Sequence, residues 1–285
     1  MTSENLRIDL HSHTRASDGK LTPQELVMRA SNRQIDVLAI TDHDTTAGLA
    51  AAEQAIVEQN SRTRLITGVE ISCKWHSFDI HVVGLAFDQS HQGLQDFLSE
   101  QQRRRDARAE AICKKLEKNG LEGAYEGSKA LAKGSFSRSH MARWLVSKGH
   151  VASMDAAFKR YLAKGGKAYV ANQWHSIAEA VAIIHAAGGV AVLAHPSRYS
   201  MSTKWLRKLL VEFSEAGGDG MEVVLSQQGS TERDLLLSLA SQYQLYCSLG
   251  SDFHHESQWV DLGKNLYRPD GCRWIWQSPR WQEEL

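Results

Sequence analysis

The stretch RLITGVEISCKWHSFDIHVVGLAF, residues 64–87, holds two strand-like apolar runs with very little chain between them. From Ser72 to Ile80 there is no room for a crossover helix, which needs about a dozen residues or more. The two runs therefore read as an antiparallel hairpin turning through CKWHSFD. A turn centred near Trp75–His76 sets Glu70 opposite His81 and places both on one face.

On either side the pattern is different. LRIDL and DVLAIT precede the hairpin, and GVAVLA, GMEVVL and LYCSLG follow it, giving seven strands in all. Between most of them lie stretches of helical period such as TPQELVMRASNRQ, SIAEAVAIIHAAGG, TKWLRKLLVEFSEAGG and TERDLLLSLASQYQ. Thr22–Pro23, Ser176 and Thr231 are the expected helix starts. Alternating strand and helix predicts an α/β fold with a mostly parallel sheet, and seven strands favour closure into a barrel. Residues 91–169 break the alternation. KKLEKNG, ALAKG, WLVSKG and YLAKGG each end a helical stretch at glycine, which predicts an all-helical insertion between barrel segments 1–90 and 170–285. The tail YRPDGCRWIWQSPRWQEEL carries three tryptophans and is expected to pack back on the body.

Bulk properties exclude more than they select. The 285 residues carry 33 basic and 33 acidic side chains, so any contact with nucleic acid has to come from a local patch. The N-terminal MTSENLRIDLHS lacks a basic-then-apolar leader, and no apolar run approaches membrane-spanning length. Cys73, Cys113, Cys247 and Cys272 are scattered, as reduced thiols of a cytoplasmic protein are.

Histidines and acids gather where strands end. IDLHSHTRASDG gives His11, His13 and Asp18; TDHD gives His43 between Asp42 and Asp44. GVEIS and DIHVVG supply Glu70 and His81; AHPSR and GSDFHH supply His195, Asp252 and His254. In a barrel these strand ends share one mouth. Mixed imidazole and carboxylate donors suit Mn, Zn or Fe, and nine donors exceed what one ion takes. Polynuclear sites of this kind promote hydrolysis of phosphate esters. Asp42 and Asp44 read as groups that orient the ligands, and His255 as an exposed residue without a role in the chemistry.

Taken together, DLHSHTRASDG, AITDHDT, GVEIS, DIHVVG, AHP and GSDFH resemble the polymerase and histidinol phosphatase (PHP) superfamily. SFSRSHMARWLV and AFKRYLAKGGKAYV resemble its RNase AM type, which includes 3′,5′-nucleotide bisphosphate phosphatases. The resemblance implies a distorted seven-stranded (β/α) barrel and three divalent ions, Mn²⁺ above Fe or Zn. It implies His11, His13, Glu70 and Asp252 on one ion, Asp18, His43 and His254 on a second, and Glu70, His81 and His195 on a third. The implied activity is hydrolysis by a metal-bridged hydroxide. The implied substrates are 3′,5′-nucleotide bisphosphates, which lose the 3′-phosphate, and short RNA degraded 5′ to 3′.

Anionic substrates also need cations. Arg138, Ser139 and His140 fall in the first turn of a helix capped by Ser137, with Arg143 close behind, and Arg198 follows His195. Lys164 and Lys167 flank a glycine pair and read mainly as helix-end partners. Arg104, Arg105 and Arg108 form either a solvated helix face or a track for an RNA backbone. Trp75 either stacks on a base or packs the hairpin. A histidinol-phosphatase-like monoesterase is the alternative enzyme, and a non-catalytic metal-binding regulatory module the alternative from another class. The basic insertion argues against the first and the complete ligand set against the second. No obligate protein partner is evident.

Overall fold

The computed structural model describes residues 6–283; the leader reading of residues 1–5 and the last two residues of the tail lie outside it. Eight strands form one sheet: β1 (Ile8–Asp9), β2 (Val37–Ile40), β3 (Arg64–Trp75), β4 (Phe78–Leu85), β5 (His175–Ser176), β6 (Val190–Leu193), β7 (Gly220–Leu225) and β8 (Tyr246–Gly250). Seven follow the order β1-β2-β3-β4-β6-β7-β8, and two-residue β5, absent from the sequence reading, pairs with β3 at Cys73 and Lys74. The barrel closes where Leu10 N–H donates to Leu249 and His13 N–H to Phe253. All four residues of β2 and of β6 are buried. Strands covered by helices outside and side chains inside read as unbroken apolar runs.

The β3–β4 pair is antiparallel, as is β4–β6, and the remaining pairs are parallel. The turn sits one residue later than expected: Trp75 pairs with Phe78, Ser72 faces His81, and Glu70 faces Val83. His81 is thus diagonal to Glu70. Because side chains repeat with period two, both still share one face.

The helices show their causes. Helix α1 (Pro23–Asn32) opens with Thr22 and Glu25 capping each other and buries Leu26, Val27 and Ala30; α2 (Leu49–Glu58) lies beside it. Helix α7 (Ile177–Ala186) opens on a Ser176–Glu179 capping box. Helices α8 (Thr203–Glu215) and α9 (Ser230–Gln242) complete the outer layer, α9 starting after Gly229 so that Thr231 lies inside it. In the tail, Trp274, Ile275 and Trp281 belong to the barrel core.

Between β4 and β5 run α3 (Gln92–Lys118), α4 (Ala124–Lys129), α5 (Arg138–Ser147), α6 (Met154–Ala157) and a π-helical turn at Phe158–Leu162. Ile112, Leu116, Phe136, Met141, Leu145 and Leu162 form a second core there, while Leu94 and Leu98 of the same α3 pack into the barrel core. Gly120, Gly149 and Gly165 take positive φ after their helices. Gly134 serves another purpose: a Cβ there would meet the carbonyl oxygen of Ala16 at 2.1 Å, and the adjoining Ser135 N–H donates to that oxygen.

Candidate metal centre

His11 and His13 follow β1, and a two-residue spacing turns both rings inward. Their Nε2 atoms lie 3.1 Å apart and stand 3.4 and 3.3 Å from Glu70 Oε2. Donors about 2.1 Å from one tetrahedral ion lie about 3.4 Å from each other, so this triangle has the edge lengths of a coordination face. Asp252 Oδ1 approaches the same two nitrogens at 3.5 and 3.2 Å. A second group joins His13, Asp18, His43 and His254, and a third joins His43, Glu70 and His81. His81 Nδ1 and His195 Nε2 sit 2.8 and 2.9 Å from Glu70 Oε1. All nine sequence-derived residues therefore gather in one cluster, five of them on Glu70 and Asp18, Asp252 and His254 joined through the histidines.

Divalent cations fit this cluster for a specific reason. Asp18 Oδ1, His43 Nδ1, Glu70 Oε2 and His195 Nδ1 are buried and have no hydrogen-bond partner among the described residues. Glu70 Oε2 lies 3.0 Å from His43 Nδ1 without hydrogen-bonding geometry, although a buried polar atom left unpaired is costly. The electrostatics agree. Burial by itself lowers the His13 imidazole, yet Asp252 and Glu70 push it up to about 9. Burial raises Asp18, but the imidazoles of His254 and His43 hold it well below the usual carboxylate range. The carboxylates stay ionised as donors.

The surrounding residues fix which atom several of these side chains turn into the cluster. His11 Nδ1 donates to Glu222 Oε1 at 2.7 Å, leaving the Nε2 lone pair for a cation. His254 Nδ1 donates to the Asp252 carbonyl, which turns its Nε2 toward Asp18. Glu222 Oε2 also accepts from His195 N–H at 2.5 Å, steadying a backbone at φ +29. Asp252 and Asp44 likewise have positive φ, +52 and +53, an unfavourable conformation for non-glycine residues. Asp42 accepts from Thr14 N–H, the Thr14 hydroxyl and the Ser17 hydroxyl, holding the loop between His13 and Asp18. Asp44 is buried against Arg105 and accepts from Ser72 N–H.

A sequence profile of the PHP domain matches residues 9–185. The chain is 48% identical over 276 residues to a 5′-3′ exoribonuclease Rnm of Salmonella typhimurium, covering 96% of this chain and 94% of that one. It is 38% identical to a 3′,5′-nucleoside bisphosphate phosphatase of Chromobacterium violaceum, over 95% of both chains. A solved structure of an amidohydrolase from Chromobacterium violaceum, with bound sulfate and no metal, superposes with a TM-score of 0.88 at 38% identity over 95% of each chain. The chain belongs to the PHP domain family. It is a metal-dependent hydrolase of phosphate esters.

In this PHP protein seven of the nine candidate donors, all but the fully buried His11 and His13, line a cleft of about 390 Å³. Facing them are Arg105, Arg108, Arg138, Ser139, Phe158 and Trp174, with Arg198 alongside. Arg198 pairs with Asp252. Arg138 donates to Asp79 Oδ2 at 3.0 Å. Arg108 lies on the face of Trp174 and gives its Nε–H to the Val170 carbonyl; its buried Nη2 makes no hydrogen bond among the described residues and stands 3.8 Å from Asp79 Oδ2. Burial and the neighbouring Arg138 charge lower its pKa to about 10.

Two expected contacts point elsewhere. His140 and Arg143 line a separate pocket behind the Asp18 loop, because the His140 ring turns back to accept from Ser137 N–H and Arg143 reaches the Asp18 carbonyl. His255, Lys164 and Lys167 are exposed and outside the cleft. Trp75 is buried against Phe78 and Trp205, donates Nε1–H to Glu212, and packs the hairpin. Sequence reading missed Glu222, Asp79 and Trp174. Only Glu222 left a signal there, a charged residue inside the apolar run GMEVVL.

Proposed function

We propose that this hydrolase acts at the phosphorus attached to the 3′-oxygen of a 5′-terminal nucleotide. A 3′,5′-nucleotide bisphosphate then loses its 3′-phosphate, and short RNA loses mononucleotides from its 5′ end. In both, a water oxygen joins phosphorus, the P–O3′ bond breaks, and the freed 3′-oxygen takes a proton. The substrates differ only in whether more RNA remains on the attacked phosphorus. The relatives support each arm, one being named an exoribonuclease and the other a bisphosphate phosphatase.

The observation that carries the reading is the opposition across one cleft of cation donors and a buried, partly unsatisfied Arg108. Three divalent ions suit the donors in the sets His11, His13, Glu70, Asp252; Asp18, His43, His254; and Glu70, His81, His195. Mn²⁺ is the preferred ion, and Fe or Zn meets the same chemistry. Bound there, such ions supply an activated water near neutral pH and offset charge on phosphoryl oxygens. Residues 1–90 and 170–285 hold the reacting phosphorus, while 91–169 supply Arg108, Arg138 and Ser139 for the non-reacting 5′-phosphate. Trp174 and Phe158 offer apolar faces to the nucleotide. Arg198 balances Asp252 beside the site. The unpaired thiols suit a cytoplasmic setting. A small monoester would leave Arg108 Nη2 with only its 3.8 Å pairing to Asp79, short of a hydrogen bond, which argues against the histidinol-phosphatase-like reading.

The test uses Mn-loaded protein with adenosine 3′,5′-bisphosphate, adenosine 3′-monophosphate and a 5′-phosphorylated short RNA. His43→Ala should abolish all turnover. Arg108→Ala should raise KM for the two 5′-phosphorylated substrates at least tenfold and leave the 3′-monophosphate nearly unchanged. Equal effects on all three would remove the 5′-phosphate site from the reading.

A further inference from the structure

Outside the metal cleft, the described surface has a run of positive charge that the small-molecule reaction does not use. A groove of about 690 Å³ is lined by Arg15, Lys129 and Lys133, and shares Phe136 with the cleft. It shares Arg15 and Lys133 with a further pocket of about 350 Å³ that adds Lys20 and Arg143 and, among the described residues, has no acidic side chain in its lining. Groove and pocket therefore adjoin at Arg15 and Lys133, and the buried Phe136 forms a wall common to groove and cleft. Among the described residues Asp106 is the single carboxylate lining the groove, 3.8 Å from Lys129. Lys20 and Lys133 are exposed and make no ion pair among the described residues.

The floor of this run is fixed. Arg15 Nε–H donates to the Lys20 carbonyl and Arg143 to the Asp18 carbonyl, so carbonyl oxygens hold these two guanidiniums in place. Ser135 N–H donates to Ala16, tying the Gly134 turn to the same loop. The reverse side of this loop carries His13 and Asp18. In a chain of even net charge, five cations and one carboxylate lining the adjoining groove and pocket form the local patch that a polyanion requires.

We propose that this path, from Phe136 past Lys129, Arg15 and Lys133 to Lys20 and Arg143, carries the RNA that lies downstream of the attacked phosphorus. The proposal rests on the phosphoesterase reading above, in which the remaining RNA stays on that phosphorus and must leave the cleft. A 3′,5′-bisphosphate ends at that phosphorus and never enters the path. The path thus separates the two substrate classes of one reaction centre: its cations act on chain length and leave the bond-breaking step alone.

The experiment compares wild type with a Lys20→Glu/Lys133→Glu double variant, both full length and Mn-loaded. For adenosine 3′,5′-bisphosphate, kcat/KM should agree within twofold. For a 5′-phosphorylated RNA ten nucleotides long, kcat/KM should fall by at least on the order of tenfold. Its dependence on log salt should flatten by about 1.4, at about 0.7 per lost contact to a single strand. Binding of a labelled copy of that RNA, measured in a His43→Ala background, reads the path independently of hydrolysis and should weaken in parallel. RNA binding and salt slope unchanged by the charge reversal would overturn the path, as would equal losses for the bisphosphate. If wild type hydrolyses neither substrate but the charge reversal still weakens RNA binding, the reaction assignment fails and the surface stands. Charge-dependent binding of a polyglutamate peptide with none of the RNA would give the surface to an acidic protein and overturn the RNA assignment.

Discussion

Replacing Glu222 by Gln tests whether a buried carboxylate sets the tautomer, and so the metal-binding capacity, of His11. Glu222 is 1% exposed and accepts twice, from His11 Nδ1 at 2.7 Å and from His195 N–H at 2.5 Å. An amide of the same shape has one accepting and one donating end. The main-chain N–H of His195 cannot change roles, so the amide oxygen is retained there. The amide NH₂ then faces His11, whose Nδ1 must become the acceptor and whose Nε2 must take the hydrogen. That hydrogen occupies the lone pair directed at the space shared with His13 and Glu70. Losing such a supporting partner typically lowers metal affinity about 10–100-fold, or about 1.4–2.7 kcal/mol. Calorimetric titration of metal-free protein with Mn²⁺, with a competing chelator for the tightest site, measures the change. The metal-free melting temperature should move little, since the hydrogen-bond count is conserved, and the gain in melting temperature on adding Mn²⁺ should shrink. Affinities within twofold of wild type at every site would refute the tautomer argument.

Asp44→Asn removes the partner of buried Arg105 and should lower unfolding free energy by about 3–5 kcal/mol in urea titration; a loss below 1 kcal/mol would make the pair incidental. Trp75→Phe loses the bond to Glu212 and should cost about 1 kcal/mol without altering turnover of RNA, whereas a base-stacking role predicts a higher KM for RNA alone. His140 provides a pH signature. Burial lowers it from the ordinary 6.5 to about 4, so between those pH values the unfolded chain takes up a proton that the fold refuses. Its contribution to stability is intact above pH 6.5 and is lost as pH falls toward 4, by at most about 3 kcal/mol. His140→Gln keeps the capping-box pattern and should flatten stability against pH in that window; parallel curves for the two proteins would contradict this.

That these nine side chains gather at one place was legible because strand ends and period-two spacing convey it without any knowledge of register. His81 illustrates the point: the hairpin turn fell one residue later than expected, pairing shifted by two, and the residue remained on the Glu70 face. Contacts that depend on rotation about a helix were less accessible. Ser137 and Arg138 begin α5 as expected, but His140 turns back to its own cap, and Arg143 reaches the far side of the Asp18 loop. Sequence spacing gives the angle between such residues on the helix and not which neighbour each angle meets. Gly134 shows another limit. It looked like a helix terminator, and its small size instead admits a carbonyl from a segment more than a hundred residues away.

The reversed strand β4 has a mechanical consequence for the helices that follow it. Running against its parallel neighbours, β4 brings its beginning to the mouth and releases the chain at the opposite end of the barrel. Helix α3 must climb back, and its 27 residues at 1.5 Å each span about 40 Å. Leu94 and Leu98 anchor its foot in one core, Arg105 and Arg108 meet the cleft midway, and Ile112 and Leu116 enter the other core at its top. The helix works as a ruler. One residue added between Leu98 and Arg105 would lift everything above it by about 1.5 Å and rotate it by about 100°. The guanidinium would leave Asp44 and the upper core would lose its angle at once. A change of length that a surface loop absorbs would here put barrel and roof out of phase.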